Sequence, residues 1–598
     1  MDDQKRLMLA ISESDDAAVG RIVQTALRQG AGVNTIIDRL IQAHKGLYHP
    51  RLYSQKAFDL AVLVHKIGGP RLLFAVGKAM HLPGISTVRS QLDLPQLRPS
   101  IGFPTKDELM TNIQTSFGPE ASKSGPGMQT GLSLMLDEIA IEPRLRYSIQ
   151  QDSVVGACRD HGSQHILENL SSQKDALQAI LDIQAQLGSG ACHRATEATM
   201  AAIARFGKLN YLAALILASG TCKTEKAPDQ ARLIELILQS WKESPFGEAM
   251  HGPIWSICTD GDAKRRLALF RHCMKIKLSP SSDLFCLIGH LPLLNLHCGL
   301  NYITHDGDYK HEEKRLASAM RSRSGLLVNN THITPKMLVK YLRCLGDLSE
   351  SHILSLFDGT DPQNVPKANA LLSNLYLASR LSDISSRSEN KAFVLLGELL
   401  GAFALPYSDP TLSLSEQITS LSKCGHLLYS LYRINGTKFL PGQLFYDIQA
   451  SIKNAVFCVA KTQLISPNLP FYLLQTGTDR LENRFGTYRT TTSDRNGDLL
   501  QMSERAAGVQ LIDQIFADHP RWNRTPYRLS LDGRSGVDHT NPASWTGNVT
   551  VGKTDLYACW LHGQSQAAGL LKWAGAPFEF DPLVLASISP NIDLMRSS

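Results

Sequence analysis

GLSLMLDEIAI, residues 131–141, is an apolar run of strand length that carries two adjacent acids, Asp137 and Glu138. Bounded by Gly131 and by the Glu142-Pro143 turn, it reads as a largely buried β-strand. Downstream, LRYSIQQDSVVGAC (145–158) reads as its hairpin partner, and a third strand lies in EATMAAIARFG (197–207) or in YLAALILASGTC (211–222). Helical spacing follows in APDQARLIELILQSW (227–241), a buried strand in PIWSICTDGD (253–262), a helix in AKRRLALFRHCM (263–274) and a strand in LLNLHCGLNYITHDGD (293–308). The order β-β-β-α-β-α-β predicts an α/β fold: a mixed sheet with helices on its faces.

Upstream, AAVGRIVQTALRQ and VNTIIDRLIQAH have helical spacing, as do SQKAFDLAVLVHKIG and PRLLFAVGKAMHL around Gly68-Gly69-Pro70. A Pro/Ser/Gly-rich stretch from Pro83 to Gly127 reads as a linker. From Thr331 to Phe471 helical runs dominate, and TDRLENRFGTYR and LLQMSERAAGVQLIDQIFADH are helical again. The last ~80 residues start Gly/Asn/Asp/Ser-rich and then turn apolar, with no assignment; no internal repeat is visible.

The 598 residues suggest roughly four domains. With 43% hydrophobic and 19% charged residues the chain is not disordered as a whole, and its net charge of +6 is compatible with a polyanionic partner. Eleven cysteines with no C-x-x-C pair disfavour a disulfide framework or a four-cysteine zinc ribbon. No apolar run approaches the ~18 residues that span a bilayer, and no signal sequence opens the chain, so a soluble intracellular protein without membrane partners is expected.

Acids close the apolar strands. Asp137 lies within the first, Asp260 ends the ICTDGD strand, and Asp308 ends ITHDGD. A carboxylate at the border of a core is costly unless a positive group meets it, and a hard divalent cation held by several oxygens is one solution. The plainer alternative is that each acid forms a turn or caps a helix, with Asp260 capping the helix near Ala263. Asp479 and Glu482, three residues apart, share a helix face that a solvated role explains equally well.

Taken in order, these segments resemble the P-element and THAP-type DDE transposases. The resemblance rests on LMLDEIAIEPRLRYSIQQDSVVG, on ICTDGD, on Asp308, His311 and Lys314 as D-x-x-H-x-x-K followed by SGLLV, on NVPKANALLSNL, and on Asp479, Leu481, Glu482, Phe485, Gly486 and Arg489 as D-x-L-E-x-x-F-G-x-x-R. It extends to YSQKAFDLAVLVHKIGGPRLLFAVGKAMHLPGISTVR, and covers roughly residues 50 to 510.

The resemblance implies an RNase H-like sheet interrupted by an all-α insertion. Its domains would be an N-terminal helical region (1–100), a first catalytic part (128–330), a GTP-binding-like helical insertion (331–470), a last acidic helix (471–515) and a C-terminal segment of unknown role (516–598). It implies a metal-binding triad of Asp137, Asp260 and Glu482 around two Mg²⁺ (or Mn²⁺) ions, cutting and joining DNA strands. Asp308 is the fallback second acid; the family's shorter first interval favours Asp260, although even that interval is long and implies extra helical sequence near 163–195. His311 and Asp479 would be auxiliary. Lys310, Lys314, Arg315, Arg321 and Arg323 would hold DNA phosphates, or else form a solubilising face. A homo-oligomer is implied, nuclear if the source is eukaryotic. GTP binding is implied by resemblance alone, since no G-x-x-x-x-G-K-[ST] loop occurs.

The family's N-terminal THAP zinc finger is missing, because the first cysteine is Cys158. Cys158-x-x-His161, Cys192-His193 and His297-Cys298 each resemble half a zinc site. Without a spaced second pair, they read as ordinary core or surface residues. A domesticated, catalytically inactive relic that binds DNA or self-associates is the alternative function.

Overall fold

The structure is a computed structural model that describes residues 16–45, 53–80, 82–92, 96–118, 130–162, 168–172, 176–491, 497–523, 541–581, 584–585 and 592–596. The chain forms two compact units. The first comprises Met1–Pro95, Gly486–Arg495 and Ala507–Asp518; the second comprises Gln96–Phe485, Asn496–Ala506 and His519–Ser598.

In the first unit, helices Asp16–Arg28, Val33–His44 and Gln55–Met80 follow the expected pattern, whereas Ile85–Gln91 is a further helix inside the stretch expected to be a linker. Gly69 breaks the third of them with a φ of +78°, a left-handed conformation that glycine adopts without strain, and Pro70 restarts the helix.

The second unit contains a five-stranded sheet. Its strands are β1 (Leu132–Ala140), β2 (Glu197–Arg205), β3 (Ala214–Thr221), β4 (Ile254–Thr259) and β5 (Thr304–Gly307), in the spatial order β3-β2-β1-β4-β5. The β1/β2 and β2/β3 pairs are antiparallel, whereas β4 is parallel to β1 and β5 is parallel to β4. The order β-β-β-α-β-α-β is therefore present, with one correction. Segment 145–158 is not the partner of β1: Arg146–Ser148 and Ser153–Val155 pair with each other, Ser153 also bridges Glu168, and β1 pairs with β2 instead. The alanine-rich β2 is wholly buried except at its ends, so it takes an interior position in the sheet where a polar hairpin arm such as Arg146-Tyr147 would bury charge.

Helices α1 (Ala227–Glu243) and α2 (Ala263–Cys273) cover one face. Side chains alternate along a strand, so Leu132, Leu134 and Leu136 enter one core with Ile234, Ile237 and Trp241 of α1 and with Ala268 and Leu269 of α2. Asp137 has the opposite parity. Helix Lys106–Phe117, inside the expected linker, joins the same core through Leu109 and Ile113 and is fixed by a Thr105/Glu108 capping box. Residues 119–129 of that stretch lie outside the described residues.

The opposite core gathers Trp255 of β4 with the long helical segment. Its main helices are α3 (Tyr309–Arg321), α4 (Val365–Ser379), α5 (Lys391–Ser408), α6 (Leu414–Asn435) and α7 (Gly442–Ile465). One continuous hydrophobic cluster runs from Trp255 through Phe403 and Val456 to Trp560, so segment 331–470 and the sheet belong to the same compact unit. After α8 (Asp479–Thr490) and helix Leu499–Asp518, the unassigned C-terminal segment supplies α9 (Leu556–Trp573). Its Trp560 is fully buried, and the Ser422 hydroxyl on α6 donates to the Trp560 carbonyl at 2.6 Å.

Two helical stretches, Gln55–Met80 and Ser388–Ser408, do reach spanning length and apolarity, which corrects the expectation that none would. The second lies mostly inside the core; the first carries the Gly69 break.

Candidate functional site

In the parallel pairing of β1 with β4, Leu136 stands opposite Thr259. The next residues, Asp137 and Asp260, therefore lie side by side, Asp137 still within β1 and Asp260 just past the end of β4. One carboxylate oxygen from each of Asp137, Glu138 and Asp260 lies within 4.8 Å of the others. Asp260 does not cap α2: that role belongs to Asp262, which accepts from the backbone N–H groups of Lys264 at 2.9 Å and Arg265 at 3.1 Å. Sequence periodicity did not single out Asp262 or Arg265. Arg265, buried at 2% exposure, donates to Glu138 and sits 3.4 Å from Asp260.

Asp308 follows the plainer reading, as the N-cap of α3. It accepts from the Lys310 N–H at 3.0 Å, and its other oxygen accepts from His311 Nδ1 at 2.5 Å and from the Thr478 hydroxyl at 2.8 Å. His311 Nδ1 is also 3.5 Å from Glu482 Oε1, so ligand atoms of Asp308, His311 and Glu482 lie within 4.8 Å of one another.

The return of Glu482 to the sheet is explained by the turn before α8. Gly477, at φ +83°, turns the chain so that its N–H donates to Asp306 of β5 at 2.9 Å, while Thr478 reaches Asp308. Thr478 then starts α8, its carbonyl accepting from the Glu482 N–H at 3.0 Å. Asp306 and Thr478 carry this connection, and the sequence reading missed both. The signal available was the alternation in Thr304-His305-Asp306-Gly307-Asp308, which puts Asp306 and Asp308 on one side of the strand.

The local electrostatics favour neutral carboxyls or a bound cation. Burial, then the nearby Glu482 and Asp260, pushes the Asp137 carboxyl up to about 8. Burial also raises Asp260 and Glu482. Burial works against the charged His311, yet the charge and hydrogen bond of Asp308 lift the imidazole to about 9. Burial would raise Asp308 as well, but the His311 charge, the His311 hydrogen bond and Thr478 outweigh it and hold this carboxyl low. Asp306, inside the sheet, is pushed by burial to about 7.

The five cations proposed for DNA do not form one open face. Lys310 is buried and lies 2.6 Å from Asp479, the expected auxiliary acid, which is itself buried. Lys314 is buried and donates to Gln363 at 3.0 Å. Arg315 reaches Asp447 of α7 at 2.5 Å, and Arg321 donates to the Leu356 carbonyl at 2.9 Å. Arg323 is exposed. An amphipathic helix that packs on both sides buries cations that a one-faced helix would display; α3 is covered by α4 and α7. An open cleft beside Asp260 is lined by Arg266, His305, Asp308, His311, Arg315 and Asp447. Arg266 pairs with Asp447 at 2.8 Å, so α7 of the helical segment contributes to the cleft wall.

Hard oxygen donors that repel one another in a partly buried setting are what Mg²⁺ or Mn²⁺ binds. Asp137, Glu138 and Asp260 form one such group of candidate ligands, with Arg265 beside it, and Asp308, His311 and Glu482 form a second.

No family model matches the sequence. No curated protein matches it either. Among solved structures, the chain is similar to a Drosophila P element transposase strand transfer complex, with a TM-score of 0.46 and 13% identity over 83% of this chain and 97% of that one.

Proposed function

We propose that this chain is a DDE transposase-like nucleotidyl transferase that cuts and joins DNA strands, with an RNase H-like sheet as its scaffold. The observation that carries the reading is the adjacency of Asp137, within β1, to Asp260, just past the end of the parallel β4, with Glu482 close enough to perturb Asp137. Asp137, Asp260 and Glu482 would hold the divalent ions. When bound, such ions polarise a phosphodiester and lower the pKa of a bound water or 3′-hydroxyl.

The chain's own residues set the stage for that chemistry. Asp308 and Thr478 fix His311 and the first turn of α8, and thereby hold Glu482 toward the sheet. His311, as an imidazolium, is placed to offset the charge of Glu482 or of a phosphate.

The inactive-relic reading is favoured by one observation. Arg265 already contacts Asp260 and Glu138, an internal countercharge that competes with a metal ion. One experiment separates the two readings: nicking of a supercoiled plasmid with Mg²⁺ or Mn²⁺, with Asp137→Ala as the control. Cleavage lost in Asp137→Ala supports the enzyme. Absent cleavage in wild type, or cleavage that survives the substitution, overturns it.

A further inference from the structure

Cys158, His161 and Cys222 present ligand atoms within 4.8 Å of one another, outside the acidic site. The Cys222 sulfur is 3.6 Å from Nδ1 of His161 and 3.5 Å from Nδ1 of His193, and the Cys158 sulfur is 3.6 Å from the same His161 nitrogen. Tetrahedral zinc, with Zn–S near ~2.3 Å and Zn–N near ~2.0–2.1 Å, sets sulfur and nitrogen ligands about 3.5 Å apart. All three sulfur–nitrogen separations match. Thiol–imidazole hydrogen bonding is the competing account, with the Cys222 sulfur also 3.1 Å from the Thr224 hydroxyl.

The backbone holds these side chains in place before any ion arrives. Cys158 donates its N–H to the His193 carbonyl at 2.8 Å, and Ala157 bridges Arg194. Arg159 donates its N–H to the Gly220 carbonyl at 2.9 Å, two residues before Cys222, and the Gly162 N–H closes the C-x-x-H turn on the Cys158 carbonyl at 2.7 Å. Cys222 itself directly follows β3. The imidazole rings of His161 and His193 stack with centroids 4.0 Å apart.

We propose that Cys158, His161, His193 and Cys222 form a structural zinc site that ties the segment between β1 and β2 to the end of β3. Four protein ligands close the coordination sphere, so the ion binds no substrate. Binding replaces the two thiol protons, which leave to solvent, and no electron transfer is involved. The pairing is hidden in the sequence because the second half is split, with His193 in the loop before β2 and Cys222 directly after β3.

Metal analysis of the purified full-length chain tests this. About one zinc per chain is expected in wild type, falling below a third in Cys222→Ser and His161→Ala, and retained in His193→Cys, which exchanges one zinc ligand for another. Because Cys222→Ser can misfold, wild type is also reconstituted with Co²⁺, which gives intense visible bands and a thiolate charge-transfer band in a tetrahedral two-sulfur site. A zinc-free wild type without those bands overturns the proposal. So does zinc unaffected by Cys222→Ser, or a Cys158–Cys222 disulfide in the unreduced chain.

Discussion

Asp137 and Asp260 are neighbours because Leu136 and Thr259 are register partners in parallel strands. Residues far apart in sequence thus meet on two neighbouring interior strands, near the end of β4. If the pair and Glu482 form a cation site, Asp137→Ala reduces Mg²⁺-dependent strand nicking by at least about a thousandfold, of the order seen when an essential catalytic group is removed. Circular dichroism of the variant should stay native, since among the described residues the Asp137 side chain accepts a hydrogen bond only from the N–H of Glu138, at 2.8 Å, and its place in the β1 ladder is held by backbone.

Divalent ions should stabilise the fold, and more so in mild alkali. The folded pKa of Asp137 is raised to about 8, so its ionisation weakens the ion-free fold as pH rises from about 4 toward 8. Mg²⁺ or Mn²⁺ offsets that loss. At ten to thirty times its Kd the ion adds roughly 1–2 kcal/mol. Differential scanning fluorimetry should show a larger Tm increase at pH 8 than at pH 6, and none in the Asp137→Asn/Glu482→Gln double variant.

Arg265→Ala should destabilise strongly. It removes the buried partner of Glu138 and the neighbour of Asp260, leaving carboxylates beside one another. A loss of about 3–5 kcal/mol in urea unfolding is expected, with partial recovery when Glu138→Gln is added. Simple additivity of the two changes would show that the contact carries little.

Gly477→Ala tests the turn that returns α8 to the sheet. An alanine there meets a φ of +83°, and its Cβ would lie 3.2 Å from Asp308 Oδ1. Destabilisation of about 1–3 kcal/mol is expected from the backbone alone. Because Glu482 sits in the turn that follows, nicking should fall further than the lost stability accounts for.

His426 on α6 gives a separate acid-side signature. It is fully buried between Trp560 and Phe580, donates Nδ1–H to the Ser422 carbonyl at 2.8 Å, and burial lowers its pKa to about 4. A histidine held neutral in the fold stabilises above its unfolded pKa of ~6.5 and loses that stability as pH falls toward 4. The slope of unfolding free energy between pH 6.5 and 4 should be shallower by roughly one proton in His426→Phe.

Much of the architecture follows from local pattern. Strand-length apolar runs marked β1, β4 and β5 and offered β2 or β3 as a single further strand where the sheet has both, and helical spacing marked Ala227–Trp241 and the long helical segment, because burial on one or both faces leaves a period in the chain. Asp137 within an apolar run and Asp260 at the end of one were legible from pattern, whereas Glu482 was singled out by its helix-face spacing from Asp479 and by the resemblance. The partner of β1 was not legible, since adjacency in sequence favours Arg146–Ser148 while only the buried β2 satisfies an interior position in the sheet. The burial of Lys310 and Lys314 was likewise invisible, because a helix sequence does not reveal that two other helices will cover it. The grouping of Cys158 and His161 with Cys222 depends on where separate strands stop. Periodicity is a one-dimensional record of how each segment faces a core, so the sequence determined which segments bury and which carry acids. Which acids, cations and thiols meet depends on strand register and on what packs over each helix, and those are decided only when distant segments compete for the same three-dimensional space.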